Sequence, residues 1–413
     1  MADIKIETDP GDVGFDPERL TRVDTYLQRC VDDGLVPGWQ FVLTRHGHIV
    51  HASVAGLRDR EQALPVEADS LYRIYSMTKP ITSVAAMMLY ERGAFQLTDP
   101  VSNFLPEFGE LRVYAGGSDL APATVAATVP MRMVHLLTHT AGLTYGFFRQ
   151  HPVDAMYRAL EAEALPAGQS DLAGLCERIA YLPLLFQPGS EWAYSRATDV
   201  LGRVVEVISG QTLGEFFADQ VFGPLGMSDT SFGTGDIRGD RLARLYTQAP
   251  GGIAPADDAA AGVDRPAFQS GSGGLISSAH DYHRFTQMLL RGGELDGRRL
   301  LGPRTVAFMT VNHLPGNADL EHYGRPLYSE TPMRGVGFGL GFSVDLDPIA
   351  TGRPGSIGSY GWGGAASTLF WVDPVEHLTA MFFTQVLTLS PLPLRGTLRQ
   401  LVYQALVDGS GRG

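Results

Sequence analysis

Lysine is almost missing from this chain: of 32 basic side chains, all but Lys5 and Lys79 are arginine. Long apolar runs are missing too. No window approaches the roughly 18 apolar residues of a membrane span, and LVYQALV near the C-terminus is far too short, so no membrane partner is expected. Cysteine is down to Cys30 and Cys176, far apart and outside any CxxC pair. That spacing disfavours a disulfide scaffold and leads us to expect two ordinary thiols. Positive charge is in deficit as well. The formal net charge of −13, with no compensating Lys/Arg block or zinc-finger spacing, repels polyphosphate and argues against a nucleic-acid partner. Met1 to Gly11 has neither a basic n-region nor an apolar h-region, from which a cytoplasmic location is expected. The GxSxG elbow is absent, which excludes a nucleophile on an α/β-hydrolase turn. P-loop and dinucleotide fingerprints are absent in the context they require.

What remains is a chain of 413 residues, 44% hydrophobic and 19% charged, the composition of a folded, loop-rich protein with room for two domains or one large insertion. Leu20, Val23, Tyr26 and Leu27 recur at helical spacing and predict a helix over Phe15 to Val31. GWQFVLTRHGHIVHASVAG then reads as an antiparallel hairpin. From Ser76 the period lengthens: Ile81, Val84, Ala85, Met88 and Leu89 predict an amphipathic helix stopped at Arg92-Gly93. The middle third alternates helical stretches with Pro/Gly/Ser punctuation. Its segment 251–274, GGIAPADDAAAGVDRPAFQSGSGG, lacks bulky residues and reads as a surface crossing or cleft rim. RGVGFGLGFSVDL, STLFWVDP and HLTAMFFTQV read as strands, and LRGTLRQLVYQALVDG as a closing helix. The fold class expected is α+β. Residues 1–95 and 275–413 form a domain around an antiparallel sheet, residues 96–274 a mainly helical domain with long loops, and a cleft lies between them.

Ser76 and Lys79 are three apart on a first helical turn, so the amine can fold back to the hydroxyl. A serine needs such a base to become a nucleophile, and a lysine needs its pKa lowered from about 10.4 to act as one. The plain alternative is a surface pair with a helix cap. GSEWAYSRATDV places Tyr194 ahead of a helix, where a phenol can relay a proton; otherwise it is a core aromatic. GSYGWGGAASTLFWVDP sets three glycines around Trp362 ahead of a strand, allowing close approach of a backbone N–H to an acyl group; otherwise it is a tight turn. His135 and His139 are four apart but lack the HExxH glutamate, so structural hydrogen bonds are expected rather than zinc. His280 and His283 read as surface or packing residues, His377 as opening a strand, and Asp199 as facing solvent. No metal or cofactor is expected.

Together these segments resemble the serine beta-lactamase and penicillin-binding-protein-like hydrolases, and most nearly the family VIII carboxylesterases with their related acyltransferases. The resemblance rests on Ser76-Met77-Thr78-Lys79 with the following PITSVAAMMLYERG, on HLLTHTAGL at 135–143, on QPGSEWAYS with Tyr194-Ser195-Arg196, and on Trp362-Gly363-Gly364. It runs from about Gly11 to residue 408. It implies a beta-lactamase/transpeptidase-like fold in which Ser76 attacks a carbonyl and Lys79 and Tyr194 share acid/base work. The oxyanion would lie between the N–H groups of Ser76 and Ala365. Two departures stand out. Arg196 replaces an asparagine, and its charge either depresses the Lys79 pKa or points away. Trp362 replaces a lysine that would hold a drug carboxylate, which favours uncharged esters. Met77, Tyr145, Phe147, Phe148, Trp362, Gly363 and Gly364 are candidates for the substrate pocket. The expected function is a carboxylesterase for small, mostly apolar esters, with water as co-substrate. Acyl transfer, beta-lactam or D-alanyl-D-alanine peptide hydrolysis, and a noncatalytic binding protein are the alternatives.

Overall fold

The computed structural model describes residues 4–162, 171–235, 239–256, 266–325, 333–388 and 394–408. Its centre is an eight-stranded, wholly antiparallel sheet that joins the two ends of the chain. In sequence the strands are β1 (Gly38–Arg45), β2 (His48–Asp59), β3 (Leu64–Pro65), β4 (Val336–Phe338), β5 (Ser343–Asp345), β6 (Tyr360–Gly363), β7 (Leu369–Asp373) and β8 (Leu378–Phe383). In space their order is β4-β5-β6-β7-β8-β1-β2-β3. The seam is β1 against β8, with Phe41 opposite Phe382. β1 is buried along its length because it is central and covered on both faces, and its sequence is accordingly a nearly continuous apolar run.

Helix α1 (Pro17–Asp32) starts as the sequence predicts: the Asp16 side chain accepts from the Arg19 N–H, and Pro17 fills the first turn. Its apolar stripe Leu20, Val23, Leu27 and Cys30 packs with the closing helix of Leu394–Tyr403 on one face of the sheet. The opposite face carries the larger core, built around α2 (Thr78–Glu91) and the helix Ala279–Leu290. The two cysteines are free and buried, one in each core. Among the described residues no helix is long and apolar enough to cross a membrane.

Several local expectations give way to tertiary context. α2 is not amphipathic in place: every residue from Thr78 to Leu89 is buried, because sheet and inserted helices enclose it from both sides. RGVGFGLGFSVDL is two strands rather than one. Gly341 turns the chain at φ 98°, and a Cβ there would come within 2.2 Å of the Ser83 Oγ on α2. Between α2 and the Ala279 helix lies an inserted, mainly helical region whose main helices are α3 (Met133–Leu137), α4 (Pro152–Ala162), α5 (Leu172–Ala180) and α6 (Ala197–Ser209). It also holds a β-hairpin, Arg112–Gly117 with Pro122–Ala126, which the sequence reading missed. Residues 257–265 of the expected surface segment lie outside the described residues. Its end, Ser270 to Ser272, is buried rather than exposed.

Candidate active site

Ser76 lies in a single 3-10 turn, Tyr75–Met77, two residues before α2 begins rather than in its first turn. The turn is tight because Tyr75 adopts φ 42°, a left-handed conformation that costs a non-glycine residue about 1 kcal/mol or more. The strand Leu71–Arg73 that leads into it is pinned to Leu275–Ser278. Ser76 is half-buried and sits at the positive end of α2, where developing negative charge is favoured.

Lys79, one turn on, is 1% exposed. Its Nζ donates to the Ser76 Oγ at 3.2 Å and to the Ser272 carbonyl at 2.8 Å, and it lies 4.5 Å from the centre of the Tyr194 ring. Burial lowers the pKa of this amine to about 7; the Asp199 charge opposes the shift and the Arg196 charge adds to it. At neutral pH a large share of Lys79 is therefore an uncharged amine within hydrogen-bond reach of a hydroxyl. Burial pushes the Tyr194 phenol up to about 12, against the lowering effect of the Ser76 and Trp362 side chains beside it. The Trp362 Nε1 donates to that hydroxyl at 3.3 Å.

The glycines after Trp362 are required by close approach. A Cβ on Gly364 would lie 2.4 Å from the Ile74 carbonyl and 2.3 Å from the Thr368 Oγ1. The end of β6 is thus pressed against the chain two residues before Ser76. Ala365 follows, exposed, and among the described residues no acceptor engages its N–H.

The aromatic wall is larger than the sequence suggests. Tyr194 packs against Trp362 at 5.4 Å, Tyr145 at 5.4 Å and His139 at 5.0 Å between ring centres, and Phe338 meets Trp362 edge-on at 5.4 Å. Phe147 is 55% exposed and stacks on Tyr145. Phe148 is buried against both rings. Met77 has no exposed surface and belongs to the core, with its carbonyl accepting from the Tyr282 hydroxyl at 2.9 Å.

His135, His139 and His280 have structural partners. The His135 ring accepts from the Arg132 N–H, and the His139 Nδ1 pairs with the Ser195 Oγ at 3.1 Å. Burial, with the Lys79 charge beside it, holds His139 well below the usual histidine range. His280 pairs with Asp281. His283 is half-buried on the Ala279 helix with its Nδ1 buried and without a hydrogen-bond partner among the described residues, and His377 precedes β8 with its ring 5.6 Å from His46.

Asp199 corrects the expectation of solvent exposure: it is fully buried. Its Oδ1 accepts from the Ser270 hydroxyl at 2.6 Å and the Ser272 N–H at 3.0 Å, and its Oδ2 faces the Arg196 Nη1 at 3.2 Å. Lying five residues after Tyr194, at the start of α6, it looked like a solvated helix-start carboxylate. Its partners come from a segment seventy residues away in sequence, which no local pattern reveals. Ser272, whose carbonyl holds Lys79, was missed for the same reason. The one clue is the glycine-rich SGSGG: a Cβ on Gly271 would lie 2.8 Å from the Thr198 carbonyl, so the loop approaches α6 as closely as backbone allows.

The profile of the family described as Beta-lactamase matches residues 23–404. An uncharacterized protein of Mycobacterium tuberculosis (strain CDC 1551 / Oshkosh) is 34% identical over 374 residues, 87% of this chain and 88% of its own length. Esterase EstB of Burkholderia gladioli is 31% identical over 397 residues, 91% of this chain and 93% of its own. The solved structure of EstCE1, described as a hydrolase with promiscuous acyltransferase activity, superposes with a TM-score of 0.77 at 28% identity and covers 95% of this chain and 99% of that one.

Proposed function

The chain belongs to the beta-lactamase family, and from that premise we propose that it is a serine carboxylesterase acting on small, mostly apolar esters. The observation that carries this reading is the buried Lys79 amine 3.2 Å from the Ser76 Oγ. With the amine neutral, Lys79 takes the hydroxyl proton as Ser76 Oγ bonds to the ester carbonyl carbon. The carbonyl oxygen, now an oxyanion, is met by the N–H groups of Ser76 and Ala365. Collapse expels the alcohol, which receives a proton from the Lys79–Tyr194 pair and leaves an acyl-Ser76. Water then attacks this ester and gives up a proton to the same pair; as the acyl–Oγ bond breaks, the pair returns that proton to Ser76 Oγ and the acid departs. Esterase EstB, among the relatives, supports ester hydrolysis.

Apolar preference is supported by the aromatic wall and by Trp362 at the position where a cation would hold a carboxylate. Acyl transfer is the second reading, favoured by the likeness to EstCE1; an alcohol that outcompetes water for the acyl group would establish it. The test of the main reading is intact-mass labelling with a fluorophosphonate, mapped by peptide fragmentation, beside a panel of p-nitrophenyl esters and a chromogenic cephalosporin. A single adduct on Ser76 and ester turnover well above cephalosporin turnover are expected. An adduct elsewhere, or none, sinks the reading, and equal cephalosporin turnover sinks the substrate preference.

Two results follow from the geometry. Because the amine must be neutral to accept a proton, protonation below its pKa of about 7 removes the base. The kcat/KM for p-nitrophenyl butyrate should therefore fall about tenfold per pH unit on the acid side of 7 and level off above it. A profile flat from pH 5 to 9 would exclude Lys79 as the base. Trp362, 9% exposed, borders both Tyr194 and the proposed acyl site. Trp362→Ala should raise the hexanoate-to-acetate ratio of kcat/KM by about tenfold or more, within the roughly 1–3 kcal/mol reach of a methylene in a pocket. Burial this deep also costs about 3–5 kcal/mol on truncation, so the melting temperature should fall. An unchanged ester ratio would remove Trp362 from the pocket.

A further inference from the structure

The buried chain of contacts behind Lys79 ends in a charge that nothing in the proton-transfer scheme uses. Lys79 Nζ is held by the Ser272 carbonyl; the Ser272 N–H is held by Asp199 Oδ1; and Asp199 Oδ2 faces the Arg196 guanidinium. An unneutralised carboxylate in a dry interior would keep a nearby amine protonated, which is the wrong state for a base. Arg196 is itself fixed, with Nη2 on Glu161 Oε1 at 2.7 Å from α4 and its Cζ 5.2 Å from the centre of the Tyr145 ring. Lys79 Nζ lies 5.4 Å from the same ring.

We propose that Arg196 is a positioning residue that neutralises Asp199, leaving the carboxylate free to hold the 270–272 loop without holding the proton on Lys79. This deepens the reading of Lys79 as the base and rests on it. Asp199 supplies two accepted hydrogen bonds that place the Ser272 carbonyl; Arg196 offsets part of the electrostatic cost of having it there. The charged or titratable groups facing Lys79 are few. α6 brings Asp199 with Arg196 at its N-cap, the Tyr145 and Tyr194 phenols are neutral, and His139 is neutral as well. From α4, Glu161 reaches Arg196 rather than Lys79. Burial works against the Arg196 charge, but Asp199 and Glu161 more than offset it and keep the guanidinium protonated.

The test is the acid limb of the kcat/KM profile for p-nitrophenyl butyrate in four variants, with folding followed by circular dichroism and melting. In Arg196→Gln the limb should move up by roughly one pH unit or more, so that activity lost at pH 7 returns by pH 9. In Asp199→Asn, whose amide oxygen still accepts from Ser270 and Ser272, the limb should move down. Arg196→Lys should leave it near the parent value, and Arg196→Gln with Asp199→Asn should bring it back. A merely structural role lowers rate at every pH and leaves the limb in place. Limbs that stay put, or move the same way in the two single variants, overturn the proposal. Should Arg196→Gln fail to fold, the downward shift in Asp199→Asn and the fixed limb in Arg196→Lys decide it. A parent enzyme with no limb near 7, or a fluorophosphonate on another residue, instead removes the base assignment beneath it.

Discussion

Ser76→Ala should lower kcat/KM on every ester by roughly 10⁴- to 10⁶-fold, the loss typical when the nucleophile of a covalent mechanism is removed and only binding and oxyanion stabilisation remain. The variant should also take up no fluorophosphonate by intact mass. The fold should survive, because Ser76 is half-buried and contributes one hydroxyl. The strained φ at Tyr75 belongs to the backbone of the turn, which alanine retains. A melting temperature close to the parent would therefore accompany the loss of turnover. Residual activity within about a hundredfold of the parent would mean that another group attacks the carbonyl, and the scheme would fall with it.

Lys79→Met is the second large effect. Methionine nearly matches the length of the lysine stem but has no proton acceptor of useful basicity, so kcat should drop by about 10²- to 10⁴-fold, the range of general-base contributions. Stability offers an independent check with a definite sign. The native amine titrates near 7 and an unfolded lysine near 10.4. Between those values the unfolded chain binds the extra proton, so the parent gains stability as the pH rises through that window and carries its full penalty below it. Lys79→Met has no such term. Relative to the parent it should be at its most stable near pH 6 and lose that advantage towards pH 10, read as the difference in melting temperature. A difference independent of pH would show that the amine is not the desolvated group the geometry describes. The lost hydrogen bond to the Ser272 carbonyl costs about 1–3 kcal/mol at every pH and so cannot mimic the trend.

Legibility of this protein followed the reach of each interaction. The Ser76–Lys79 pair could be read because three residues is one helical turn, and the amine does reach the hydroxyl even though a 3-10 turn carries the serine. The Gly363-Gly364 step could be read because glycine marks close backbone approach, here against the Ile74 carbonyl. Strands of period two at both ends of the chain foretold a sheet shared between them, and the Phe41–Phe382 register is that sharing. α2 misled in one respect. Its three-and-four spacing looked amphipathic, yet small residues such as Ala86 and Ser83 on the supposed outer face are buried as well, Ser83 against the Gly341 turn of the sheet.

By itself, then, the amino-acid order determined which groups could meet locally: a hydroxyl and an amine one turn apart, a phenol at a helix entry, a glycine step beside an indole. Tertiary structure alone decided what state those groups are in. Whether the amine carries a proton depends on how completely the Tyr145 and Tyr194 rings and the 270–272 loop exclude water, and on an Arg196–Asp199 pair whose balance is set across distant segments. Chemical identity is written residue by residue, but the cost of a charge is set by everything packed around it.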